Sequence, residues 1–100
     1  MRTFIISSAT TICSELGQRC KVLRLMRNLT QKQLADMAGT SLSSVRRFEV
    51  QGQGSLELFV KITQALQVVR QLEPLFLQQE ASIADIEKQQ AAMQRQRARP

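Results

Sequence analysis

From about Thr11 to Arg27 the apolar residues Ile12, Leu16, Cys20, Leu23 and Met26 recur at steps of three and four, the spacing of one face of an amphipathic α-helix. Asn28 follows, a residue that tolerates the left-handed backbone of a helix end. A second helix is expected to open at Thr30, where Thr30-Gln31-Lys32-Gln33 has the form of a capping box. Leu34, Ala35 and Ala38 would face inward, and Gly39 would end it. Ser41 can cap a third helix running to about Val50, with Val45 and Phe48 inward. The polar loop Gln51-Gly52-Gln53-Gly54 separates it from a fourth helix, capped by Ser55 and carrying Leu56, Phe59, Val60, Ile62 and Leu66. Val68 to Phe76 reads as a short fifth helix interrupted at Pro74.

The two ends differ from this middle. Thr3-Phe4-Ile5-Ile6-Ser7 is rich in β-branched and aromatic residues and reads as a short extended strand. With no second strand in the chain to complete it, it becomes a candidate dimer element. Beyond Gln78, Ser82-Ile83-Ala84-Asp85 is another cap-like start. Ile83, Ile86 and Met93 leave only a thin apolar stripe behind it, and such a helix is marginal alone in water. The organisation expected is a strand and lead-in over 1–10, a helical domain over 11–78 and a partly ordered tail over 79–100. The fold class is all-α, with five helices and a short N-terminal β-strand.

The stretch Gln31 to Val50 meets the steric demands of a helix-turn-helix. The fifth residue of such a unit must be small where the helices touch, and it is Ala35. The ninth must adopt a left-handed turn conformation, and it is Gly39. The fourth, eighth, fifteenth and eighteenth fill the shared core, and they are Leu34, Ala38, Val45 and Phe48. The second helix of such a unit offers its N-terminal turn to base edges, which nominates Ser41, Leu42, Ser43, Arg46 and Arg47. Arginine can bond bidentately to guanine, and leucine can touch a thymine methyl. Gln31 and Lys32, at the positive end of the preceding helix, suit a phosphate. Gln51, Gln53 and Ser55 are further phosphate candidates.

Charge and composition agree with a polyanion partner. The net charge is +6, and residues 1–54 hold eight basic against three acidic side chains. Residues 55–94 hold three against five, and three arginines (Arg95, Arg97, Arg99) close the chain. Enzymatic chemistry has little to stand on. There is no His, Tyr or Trp, no phosphate loop, no metal-ligand cluster and no nucleophile motif, so neither a cofactor nor a metal is expected. Cys13 and Cys20 lie on one face of the first helix, roughly 10 Å apart. That is too far for a disulfide and suits core thiols of a cytosolic protein. No stretch approaches the ~20 apolar residues of a membrane span.

The run Leu23-Arg24, Asn28-Leu29-Thr30-Gln31, Leu34-Ala35, Ala38-Gly39, Ser41, Val45 and Phe48-Glu49, followed by Ser55-Leu56-Glu57-Leu58, resembles the xenobiotic-response-element (lambda-repressor-like) helix-turn-helix family over about residues 11–76. The resemblance implies an ion pair between Arg24 and Glu49, a phosphate contact by Gln31, and base contacts by Ser41, Leu42, Ser43 and Arg47. Two departures are visible: Asn28 stands for the usual Gly, and Leu42 for a commonly polar residue. More narrowly, the N-terminus, Gln71-Leu72-Glu73-Pro74-Leu75-Phe76 and Ser82-Ile83-Ala84-Asp85-Ile86-Glu87 resemble the DNA-binding antitoxins of HipBA-type toxin–antitoxin modules. This similarity implies autorepression and a HipA-like serine/threonine kinase toxin, a small third component, or both, as partners.

The function expected is sequence-specific repression by a homodimer on an inverted-repeat operator in duplex DNA, in the cytoplasm at the nucleoid. Two alternatives stand beside the antitoxin: a phage or plasmid repressor without a toxin partner, and a protein-interaction module on a helix-turn-helix scaffold.

Overall fold

A computed structural model describes residues 4–77 and 82–98, with side chains placed through Arg95 in the second stretch. A 3₁₀ turn at Phe4–Ile6 leads into α1 (Ala9–Met26), α2 (Gln31–Ala38), α3 (Leu42–Gln51) and α4 (Leu56–Ala65). A second 3₁₀ segment, Val69–Leu72, follows, and α5 (Ile83–Ala98) closes the described chain.

Every α-helix starts on a hydroxyl. The Ser8, Thr30, Ser41 and Ser55 side chains accept from the amides of Thr11, Gln33, Ser44 and Leu58. Ser82 accepts from the amide of Asp85 at 3.2 Å. Each such contact satisfies one of the amides a helix start leaves without a partner. At Thr30 the box closes both ways, since the Thr30 amide donates to Gln33 Oε1 at 2.8 Å. The helix ends are equally local. Asn28 takes φ 55° and Gly39 φ 67°, and the Thr40 amide donates back to the Ala35 carbonyl at 2.9 Å.

The core is formed where α1 meets α3 and where α2 meets α3 and α4. Leu34, Ala35, Ala38, Val45, Phe48, Ile62 and Leu66 are buried there with Cys20, and the Phe48 and Phe59 rings lie 5.9 Å apart. One residue the periodicity does not single out sets how closely α1 approaches α3. A Cβ on Gly17 would lie 2.1 Å from the Phe48 carbonyl oxygen, so only a glycine allows the two backbones to touch.

Three expectations are corrected. Phe4–Ile6 is a 3₁₀ turn and not a strand, and no strand occurs among the described residues; Thr3 lies outside them. The Ser7 amide closes the turn on the Phe4 carbonyl at 3.2 Å, and the Arg19 guanidinium covers the Phe4 ring at 4.9 Å. An apolar run without a partner strand thus satisfies its backbone locally. The expected helix over Val68–Phe76 is only the four-residue 3₁₀ segment followed by turns. Glu73-Pro74 cannot continue an α-helix. Finally, Cys13 is exposed while Cys20 is buried, so only one thiol belongs to the core.

The face of α1 that carries Ile12, Leu16 and Leu23 is only half covered. With Phe4, Phe59, Val68 and Leu72 it lines an open apolar groove of about 530 Å³. Phe76, on the same groove, is 99% exposed. In α5 the stripe of Ile83, Ile86 and Met93 is exposed as well. The side chain of Arg97 and all of Arg99 lie outside the described residues, as does the expected boundary at 78/79. No helix among the described residues is long and apolar enough to cross a membrane.

Candidate nucleic-acid interface

A charged pair sits at the junction of α1 and α3. Arg24 Nε donates to Glu49 Oε2 at 2.7 Å and Arg24 Nη2 to Glu49 Oε1 at 3.0 Å. The two side chains are 7% and 1% exposed. A carboxylate and a guanidinium taken out of water are tolerable only when paired and hydrogen-bonded throughout. That condition is met here. Arg24 Nη1 donates to the Leu29 carbonyl at 2.7 Å, Gln31 Nε2 donates to Glu49 Oε1 at 3.0 Å, and no buried side-chain N or O among the described residues is left without a partner. The pair therefore ties the α1–α2 connection to the back of α3. Burial, with a contribution from the Glu49 carboxylate, pushes the Cys20 thiol up to about 11.

With Val45, Phe48 and Glu49 buried, α3 turns Ser43, Arg46, Arg47, Val50 and Gln51 outward, all exposed. Arg46, Arg47 and Val50 lie three, four and seven residues on from Ser43, so the four form a single stripe along the helix. It is cationic in the middle, with a hydroxyl at one end and an apolar side chain at the other. Val50, 70% exposed, is the member the sequence reading did not single out. Its place follows from counting seven residues on from Ser43.

The remaining candidates divide. Ser41 is exposed, but its hydroxyl is engaged in capping α3, accepting from the Ser44 amide at 3.1 Å and donating to Ser44 Oγ at 2.8 Å. Ser55 caps α4, its hydroxyl oxygen accepting from the Leu58 amide at 3.0 Å. Leu42 is half-buried and contributes no polar group. Gln53 is exposed in the loop after α3. Lys32 is exposed, with Asp36 one turn on at 3.9 Å, a surface pair of little energetic weight. Gln31 is half-buried and points toward α3: besides donating to Glu49, it accepts from Arg46 Nε at 3.4 Å. The fold thus joins Gln31, Arg46, Glu49 and Arg24 in one network. Arg47 makes no hydrogen bond or ion pair among the described residues.

Two helices joined by a left-handed glycine form one unit, the second with a locked back and an exposed cationic front. Residues 21–69 match the family model described as helix-turn-helix. No curated protein matches the chain. The matched segment runs from the second half of α1 to the start of the Val69–Leu72 segment and contains the whole network and the whole exposed stripe. The match supports a DNA-binding regulator.

Proposed function

We propose that the chain is a sequence-specific repressor that lays α3 in the major groove of duplex DNA. The observation that carries this reading is the single exposed stripe Ser43–Arg46–Arg47–Val50 on a helix whose opposite face is fixed by Val45, Phe48 and the Arg24–Glu49 pair. A rigid helix offering arginine, a hydroxyl and a branched apolar side chain at one face has what base-edge readout needs: a guanine fork, a permissive donor–acceptor and a surface for thymine methyls. Lys32 at the start of α2 and Gln53 after α3 flank the stripe as backbone contacts. No catalytic step belongs to this reading. The working place is the cytoplasm, at the nucleoid.

The repressor acts as a homodimer, because one such helix reads too few base pairs for useful discrimination. The open apolar groove beside α1 and α4 is surface that a second copy would cover. The finer role is that of an autorepressing antitoxin with a HipA-like kinase partner. It rests on the likeness of residues 71–76 and 82–87 to such antitoxins.

Selection of binding sites from random duplex DNA tests the reading. The expected outcome is an enriched inverted repeat with half-site centres about one helical turn apart. Enrichment of a single half-site would remove the dimer, and no enrichment at all would favour an interaction module on this scaffold.

A further inference from the structure

The Gln31 side chain is held in one orientation from both ends. Its amide nitrogen can only donate and its amide oxygen can only accept. Glu49 Oε1, 3.0 Å from Nε2, is an acceptor; Arg46 Nε, 3.4 Å from Oε1, is a donor. Turning the amide over would set oxygen against carboxylate and N–H against N–H, so one orientation alone satisfies both neighbours. Glu49 cannot rotate to relieve it, because Arg24 holds both of its oxygens. Arg24 is anchored in turn on the Leu29 carbonyl. The line Leu29 carbonyl, Arg24, Glu49, Gln31, Arg46 therefore runs from the buried α1–α2 connection to the exposed face of α3. Arg47, the next residue on that face, has no such tether.

We propose that Gln31 is a positioning residue, passing the fixed orientation of the buried Arg24–Glu49 pair to the Arg46 guanidinium. This inference rests on the DNA-binding reading above. The two adjacent arginines then do different work. Arg46 meets DNA from a held geometry and loses less side-chain freedom on binding, whereas Arg47 must be ordered by the contact itself. Any phosphate contact by Gln31 is made through its second N–H, which the Glu49 contact leaves unused.

Two measurements on the full chain test this, using Gln31→Met, which keeps the length of the side chain and removes both hydrogen bonds. In nitrogen-15 spectra of the free protein, the Arg46 Nε–H exchanges with water several-fold more slowly than the Arg47 Nε–H. The difference disappears in Gln31→Met. On the selected operator, a double-mutant cycle of Gln31→Met with Arg46→Met shows coupling of about threefold or more in Kd, as side chains in contact do. The matching cycle with Arg47→Met is additive. A loss of fold would appear as coupling to both arginines alike, which would overturn the inference, as would equal exchange at Arg46 and Arg47 in the parent. Tight operator binding by the parent with an additive Arg46 cycle sinks the inference and leaves the DNA reading standing. If Gln31→Met, Arg46→Met, Arg47→Met and Lys32→Ala all leave duplex binding unchanged, both fall together.

Discussion

The α2–α3 unit and α5 begin alike and end differently. Thr30, Ser41 and Ser82 each cap a helix through the same local geometry. Behind Thr30 and Ser41 the apolar residues Leu34, Val45 and Phe48 are buried, whereas behind Ser82 Ile83 and Met93 are 77% and 59% exposed. A cap decides where a helix starts, and a facing surface decides whether it contributes to the stability of the fold. The α2–α3 unit has such a surface in α1 and α4, so its helices are held in place and α3 presents one defined face outward.

The largest expected effect lies at the centre of the unit. Glu49→Ala leaves the Arg24 guanidinium buried without its partner and should cost on the order of 3–5 kcal/mol of unfolding free energy. Ile86→Ala in α5 should stay within about 0.5 kcal/mol of the parent, as exposed positions do. Denaturant melts of the two variants measure both. Equal losses would mean that α5 belongs to the core. Next comes Gly17→Ala. Its Cβ would meet backbone at the α1–α3 crossing, and forced separation of packed elements typically costs about 1–3 kcal/mol. A variant as stable as the parent would show that the two helices are not in close contact.

Those two sites also mark how far the sequence is readable. The caps and turn residues are legible because their chemistry is local: Thr30 needs only Gln33, and Gly39 needs only its own backbone. The buried apolar positions of α2 and α3 are legible because their spacing has one period and both helices are short. Gly17 is not, since its importance depends on the Phe48 carbonyl thirty-one residues away. Neither is the inward turn of Gln31, which reads as a solvent-facing phosphate contact until Glu49 is brought beside it. Phe4–Ile6 fails for the opposite reason. Its strand-like composition is real, but a strand needs a neighbour and a 3₁₀ turn does not. Cys13 and Met26 share the apolar period of α1 and are nevertheless exposed, because nothing packs over the whole of that face.

Smaller effects sharpen the contrast between the regions. Thr30→Ala removes the capping box of α2 and should lower stability by about 1 kcal/mol. Ser82→Ala should reduce helix content from α5 alone and leave the main thermal transition in place. Circular dichroism of the two variants separates these outcomes. At the level of single thiols, Cys13 should react with a maleimide or disulfide reagent at neutral pH while Cys20 is protected, both by burial and by its raised pKa of about 11. The same shift gives the pH dependence. Below the ordinary thiol value of 9.0, Cys20 is protonated in both states and contributes nothing. Between there and about 11 the unfolded chain releases its proton first, so stability falls as pH rises. Fast labelling of Cys20 in the folded protein would place it outside the core.

The central claim is that α3 reads sequence while α2 holds backbone, and Arg47→Ala measured beside Lys32→Ala tests it most directly. Titrations over a salt series, on the selected operator and on a random duplex of equal length, should give a loss of about 1–3 kcal/mol for Arg47→Ala on the operator and far less on random DNA. Lys32→Ala should weaken both by similar amounts and lower the salt slope by about one unit. If Arg47→Ala instead weakens operator and random DNA equally, as Lys32→Ala does, α3 is not reading bases and the account is wrong.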